Sequence, residues 1–247
     1  MIVRHAGQRR YKAVLFDLPG TVLGAEDNDV AHLHLMEHLV DKYRLEEEPV
    51  LLLEKFNERI SEPYERLDTG WVSHRETVTA VLGGMLRPRG FKVGPAEEER
   101  LYREYLDKHQ SFVRLVPGAA ELLARCDGMG LHLAALGNMD PDYLRKQLRW
   151  LSVLDRFDSV TTPEEAGAPL PDPRMLKTAL GQASAAPARA IFVGASVGRG
   201  VVPAKRLGLT TVLLDSGMEE TELRAADFVA SHLSRVTNIV IELVYGP

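Results

Sequence analysis

One carboxylate in this chain stands where it could do chemistry. In YKAVLFDLPGT, residues 11–21, the apolar run Ala13 to Phe16 delivers Asp17 into a turn that carries Gly20. An aspartate at the carboxyl end of a buried strand can serve as a nucleophile or a metal ligand. A second acid two residues on would complete a reactive pair. The chain places Pro19 there, which has no proton to give and no side-chain lone pair. Other polar candidates follow downstream: Asn138 and Asp140 in LGNMDP, Asp172 in LPDPRML, Lys177, and Arg199 in GASVGRG. Asp140 and Asp172 each precede a proline, which reads as a helix N-cap. His32, His34 and His38 share one helical stretch. His34 and His38 are spaced i, i+4, but the HExxH pattern of a zinc hydrolase is absent, so the three read as a polar helix face.

These residues need a frame. Ala13 to Phe16 has the length and composition of an interior parallel strand. From Pro117 onward strands and helices alternate, with strands in LHLAAL, DSV, AIFVG and TTVLLD and helices between them. That order predicts an α/β core, a Rossmann-like parallel sheet with helices on both faces. Between Val30 and Leu106 the pattern turns helical and charged, with four amphipathic stretches. Gly83 with Gly84, and the RPRGFKVGP segment, read there as turns. The organisation expected is a core of residues 10–25 plus 113–247 and an inserted α-helical cap of residues 26–112. Trp150 is expected to pack beneath the sheet, and Trp71 to pack in the cap with a possible interface role.

Composition excludes several classes. A net charge of −5 and a pI near 5.9, with no long basic segment, argue against a nucleic-acid surface. No run of 18 apolar residues exists, and MIVRHAGQRR lacks the apolar stretch of a signal peptide, so no membrane span is expected. The single cysteine, Cys126, forbids an internal disulfide and suits a cytoplasmic setting, where it is expected buried and inert.

The order of these segments resembles the haloacid dehalogenase superfamily of phosphatases and dehalogenases, with a helical cap inserted after the first strand. FDLPGTV is similar to that family's first motif, Asp-x-Asp-Gly-Thr, at Asp17, Gly20 and Thr21. LHLAALGNMDPDYLRKQL looks like the second-motif strand and helix, VTTPEEAGAPLPDPRML like the third region, and AIFVGASVGRGVVPAKRLGLTTVLLD like the fourth. The resemblance implies a role for each position. The nucleophile falls on Asp17 and the general acid and base on Pro19. The hydroxyl that binds a phosphoryl oxygen falls on Gly137, beside Asn138. The lysine falls on Leu170, and the acidic pair that holds magnesium falls on Ala195 and Gly200. Of these chemical side chains only Asp17 survives.

Attack by a carboxylate on a phosphate dianion brings like charges together, and a metal and a lysine must offset the charge that builds up. With Asp17 and one backbone carbonyl as donors, magnesium is expected absent or weak. The expectation is therefore a silent member of the family acting as a binding, regulatory or assembly protein. Its ligand could be a small anion in the cap-to-core cleft, met by Gly20, Asn138 and Arg199, and its partner another protein or a second copy. The alternative is a divergent hydrolase in which Asp17 attacks and Arg199, paired with it, replaces the missing cation. Asp17 could also be a structural remnant, accepting hydrogen bonds from the amides at Gly137 and Asn138. Lys177 is a second candidate cation, with a solvated helix-surface lysine as its plainer reading.

Overall fold

The computed structural model describes residues 10–24, 28–65, 72–215 and 217–246; Trp71 and residues 1–9 lie outside them. The strands are β1 (Ala13–Asp17), β2 (Leu23–Gly24), β3 (Arg114–Leu115), β4 (His132–Leu136), β5 (Ser159–Thr161), β6 (Ala190–Gly194), β7 (Thr210–Leu214) and β8 (Phe228–Ala230). Six of them form one parallel sheet in the order β5-β4-β1-β6-β7-β8. The chain divides into two compact units, Met1–Gly24 with Leu115–Pro247, and Ala25–Arg114.

The period-two pattern of a strand explains the layering of the first unit. Val14, Phe16, Leu133 and Ile191 point to one face, where they meet α5 (Ala119–Gly128), α6 (Pro141–Trp150) and α11 (Leu233–Tyr245). Their alternates Ala13, Leu15, Ala134 and Phe192 point to the other, against α8 (Pro173–Gln182) and α9 (Val202–Arg206). The short helices α7 (Pro163–Ala166) and α10 (Glu220–Leu223) complete this unit. Every residue of β1 is buried. Covering a Leu or Phe side chain stabilises by about 1.5–3 kcal/mol, so β1 is fixed by packing on both faces. After β5 the chain crosses back past β1 to β6. The carboxyl ends of β1 and β6 therefore flank the point where strand order reverses, the usual ligand crevice of open α/β sheets.

The second unit is helical: α1 (Asn28–Tyr43), α2 (Pro49–Glu65), α3 (His74–Leu86) and α4 (Pro95–Gln110). Ser73 opens α3 with a capping box to Glu76.

Three sequence expectations are corrected here. Gly83 and Gly84 lie inside α3 and do not end it. The Arg87 guanidinium lies over Gly83, 2.8 Å from where a Cβ would stand, a contact that a flexible side chain can relieve. Trp150 is 57% exposed. The buried stripe of α6 is Tyr143, Leu144, Gln147 and Leu148, and the helix ends at Trp150, beside that stripe. His32 is buried, unlike His34 and His38, because it falls on the apolar stripe of α1 with Leu35, Met36 and Leu39.

Candidate active site

Four loops, those after β1, β4, β5 and β6, leave the same edge of the sheet. After β1 the backbone turns at once: the Thr21, Val22 and Leu23 amides all donate to Leu18 O, at 3.1, 3.0 and 2.9 Å. Gly20 adopts φ +74°, a left-handed conformation that a side chain would strain. The Gly20 amide donates to Leu23 O at 2.8 Å and so closes the turn. Asp17 is held at the mouth of this turn and is 1% exposed.

The carboxylate is poorly served by its surroundings. Its Oδ2 is buried and has no hydrogen-bond partner among the described residues. Burial pushes the Asp17 carboxyl up from 3.8 to about 6, and the Arg199 guanidinium pulls it part of the way back. Arg199 Nε lies 4.0 Å from Asp17 Oδ2, at the outer limit of an ion pair and too far for a hydrogen bond. Arg199 sits in a tight π-turn, Val197–Val201, in which the Gly200 and Val201 amides donate to Ser196 O. Thr21 Oγ1, one residue beyond Gly20, is also buried without a partner.

Removing the guanidinium leaves burial unopposed. Arg199→Met is expected to raise the Asp17 midpoint above 6 by roughly one unit at low salt, as read from an NMR titration of the carboxyl carbon. An unmoved midpoint would show that the two charges do not interact.

The second loop does not serve Asp17 as expected. The Gly137 amide donates to Thr161 O at 3.4 Å. The Asn138 side chain clamps the third loop: Nδ2 donates to Leu170 O and Oδ1 accepts from Leu170 N, both at 2.9 Å. Leu170 itself is 2% exposed in the apolar cluster with Met175 and Leu176. Asp172 caps α8 through Arg174 N at 2.9 Å. Asp140 occupies the N-cap position of α6 without a side-chain capping bond, short of the capping role expected of it. Lys177 is exposed on α8, the plainer of its two readings.

Pro19 is half-buried in the turn, Ala195 is half-buried beside Gly20, and Gly200 is buried in the π-turn. Phe192 was not legible as a site residue. A Cβ on Gly200 would lie 2.7 Å from the Phe192 ring and 3.4 Å from Asp17 Oδ2, and one on Gly194 would lie 2.7 Å from the ring and 3.4 Å from Asp17 Cβ. Ring and carboxylate thus crowd the same two glycines. The signal available in sequence was register: Phe192 alternates onto the face of Ala13 and Leu15. Among the described residues no three His, Cys, Asp or Glu side chains gather as a metal site would require. Cys126 is buried, and burial pushes its thiol up to about 12.

A parallel α/β sheet with one aspartate at the end of its central strand, beside the reversal of strand order, defines a doubly wound protein of the carboxylate-centred kind. Residues 14–214 match the Haloacid dehalogenase-like hydrolase family, and the chain belongs to that family. It is 33% identical over 131 residues to Haloacid dehalogenase-like hydrolase domain-containing protein 3 of Bos taurus, covering 53% of this chain and 51% of that protein. It is 30% identical over 153 residues to a phosphoserine phosphatase of Thermus thermophilus, covering 60% and 61%. The matches thus span only about half to three-fifths of these relatives. In fold, the chain is similar to a HAD phosphatase from Thermococcus onnurineus, with TM-score 0.69, 23% identity and coverage of 93% and 97%. It is also similar to a 2-haloacid dehalogenase from Pseudomonas syringae, with TM-score 0.74, 20% identity and coverage of 94% and 99%. No helix among the described residues is long and apolar enough to cross a membrane.

Proposed function

We propose that this family member has lost magnesium-dependent phosphoryl transfer and acts as a binding or regulatory protein. One observation carries the reading: among the described residues the buried Asp17 has a single cation in ion-pairing range, the Arg199 guanidinium at 4.0 Å, and no group of three His, Cys, Asp or Glu side chains that could hold a metal. The residues present do not fit magnesium. Pro19, Ala195 and Gly200 offer no side-chain oxygen, and the guanidinium 4.0 Å from the remaining carboxylate disfavours a second cation there. Leu170 supplies no ammonium to neutralise an attacking and an attacked group of like charge. The Arg199 guanidinium suits a small anion held without chemistry, and the fold remains available for assembly with a protein partner.

A second reading is favoured by the unpartnered Oδ2. Asp17 would attack a substrate carbon or phosphorus, with the guanidinium of Arg199 taking the charge role of a metal. The two readings part in a panel of phosphomonoesters and 2-haloacids, assayed with and without magnesium on the wild type and Asp17→Asn. The silent reading expects equal, background rates in all four arms. Reproducible turnover that vanishes in Asp17→Asn would reject it.

A further inference from the structure

The helical unit holds a second group of titratable side chains, far more buried than its composition suggests. His32 on α1, His74 on α3 and His109 on α4 are 8%, 9% and 6% exposed. The His32 and His109 rings lie 4.7 Å apart, and His109 packs on Tyr105 at 4.2 Å. His74 Nε2 and the Tyr105 hydroxyl are 3.1 Å apart, within hydrogen-bond range. Three helices therefore meet on imidazole.

The hydrogen-bond network fixes which nitrogen of His32 carries the proton. Asn57 Nδ2 donates to Asp29 Oδ1 at 3.1 Å, which turns Asn57 Oδ1 toward His32 Nδ1 at 3.0 Å. A carbonyl oxygen only accepts, so Nδ1 is the donor and Nε2 of the neutral ring bears a lone pair. That Nε2 is buried with no hydrogen-bond partner among the described residues, and so is His109 Nε2. Protonating His32 creates a buried N–H with no acceptor, and protonating either ring places a cation against its neighbour. Both are costly in a dry interior.

The charged groups bearing on the cluster do little to offset this. From α1, the Asp29 carboxylate accepts from Asn57 and also favours a charged His32 directly, against the larger effect of burial; α2 adds Phe56 and Asn57, both uncharged. From α3, the guanidinium of Arg75 lies over Tyr102 at 4.7 Å and is ion-paired with Glu99 of α4, so its charge is largely offset. On α4, Glu104 is engaged with His38 at 3.5 Å and Lys42 at 2.8 Å.

We propose that the helical unit is an acid-sensitive module, in which protonation of the buried His32 and His109 pair, packed beside His74, below neutral pH loosens α1, α3 and α4 while the α/β unit keeps its packing. Burial, with His32 and His74 beside it, holds His109 well below the ordinary histidine range, and burial likewise lowers His32. The sign follows from linkage. A histidine lowered in the folded state contributes its full stability above the unfolded value of about 6.5 and loses it as pH falls below that. Asp17 works in the opposite sense, since its raised carboxyl relieves the α/β unit as pH falls through 6.

The test is hydrogen exchange with peptide resolution on the full chain at about pH 7.5 and pH 5.5, corrected for intrinsic rates. Amides of α1, α3 and α4 are expected to lose protection by at least about tenfold at the lower pH, while β1, β4 and β6 do not. His109→Phe, which keeps the ring and cannot protonate, is expected to abolish at least half of that loss, and the exposed His34→Gln to leave it unchanged. Equal behaviour of the two units, or an undiminished loss in His109→Phe, would overturn the proposal. Should that variant not fold, the imidazole resonances of the wild type decide: His109 titrating near 6.5 with protection intact would also overturn it.

Discussion

Asp17→Asn is expected to be more stable than the wild type at pH 8, by about 1–3 kcal/mol, with the difference disappearing below pH 4. The carboxyl is raised from 3.8 to about 6 on folding. Above pH 6 both folded and unfolded chains are ionised, and the fold bears the whole cost of the buried charge. Two and a fraction units at 1.36 kcal/mol each make that cost about 3 kcal/mol. Between 6 and 3.8 the folded state takes up its proton first and the cost fades. Asparagine removes the charge but brings an amide into the space around an unpartnered oxygen, which returns part of the gain. Urea denaturation at a series of pH values measures the difference directly. An asparagine variant less stable than the wild type at pH 8 would mean that Asp17 is stabilised by something other than Arg199. A functional group kept at a cost to stability is consistent with either reading of Asp17 proposed above.

Phe192→Ala carries the larger destabilisation, about 3–5 kcal/mol, the range for deleting a buried aromatic side chain. Phe192 is 0% exposed, and its ring meets the same glycines as Asp17. Emptying that space does more than remove apolar contacts. Water entering beside the carboxylate would restore its solvation, so the Asp17 midpoint is expected to fall from about 6 toward 3.8. Denaturation and an NMR titration on the same variant test both halves. Lost stability with an unchanged midpoint would assign the drying of Asp17 to other neighbours.

The sheet was legible because its signal is contiguous. Ala13 to Phe16 and Ala190 to Gly194 are apolar runs too short for helices, and both became central strands. Asp17 and Gly20 were legible for the same reason, since a strand end and a turn are local features. What escaped the sequence depends on packing between distant segments. Gly83 and Gly84 read as turn residues by propensity, yet α3 runs through both. The clamp of Asn138 on Leu170 joins residues 32 apart in sequence, and nothing in either segment announces it. Phe192 looked like any core phenylalanine until its register with Leu15 placed it beside the carboxylate. The histidine group is the sharpest case. His32 followed the apolar spacing of Leu35 and Met36, a readable cue, but His74 and His109 arrive from other helices.

The claim at the centre is that no divalent ion attends Asp17. It is tested most directly by titrating the Asp17 carboxyl carbon by NMR in the presence and absence of millimolar magnesium. The expected result is one midpoint near 6, unmoved by the metal. A midpoint that magnesium lowers by a unit or more would place the ion on the carboxylate and contradict the account.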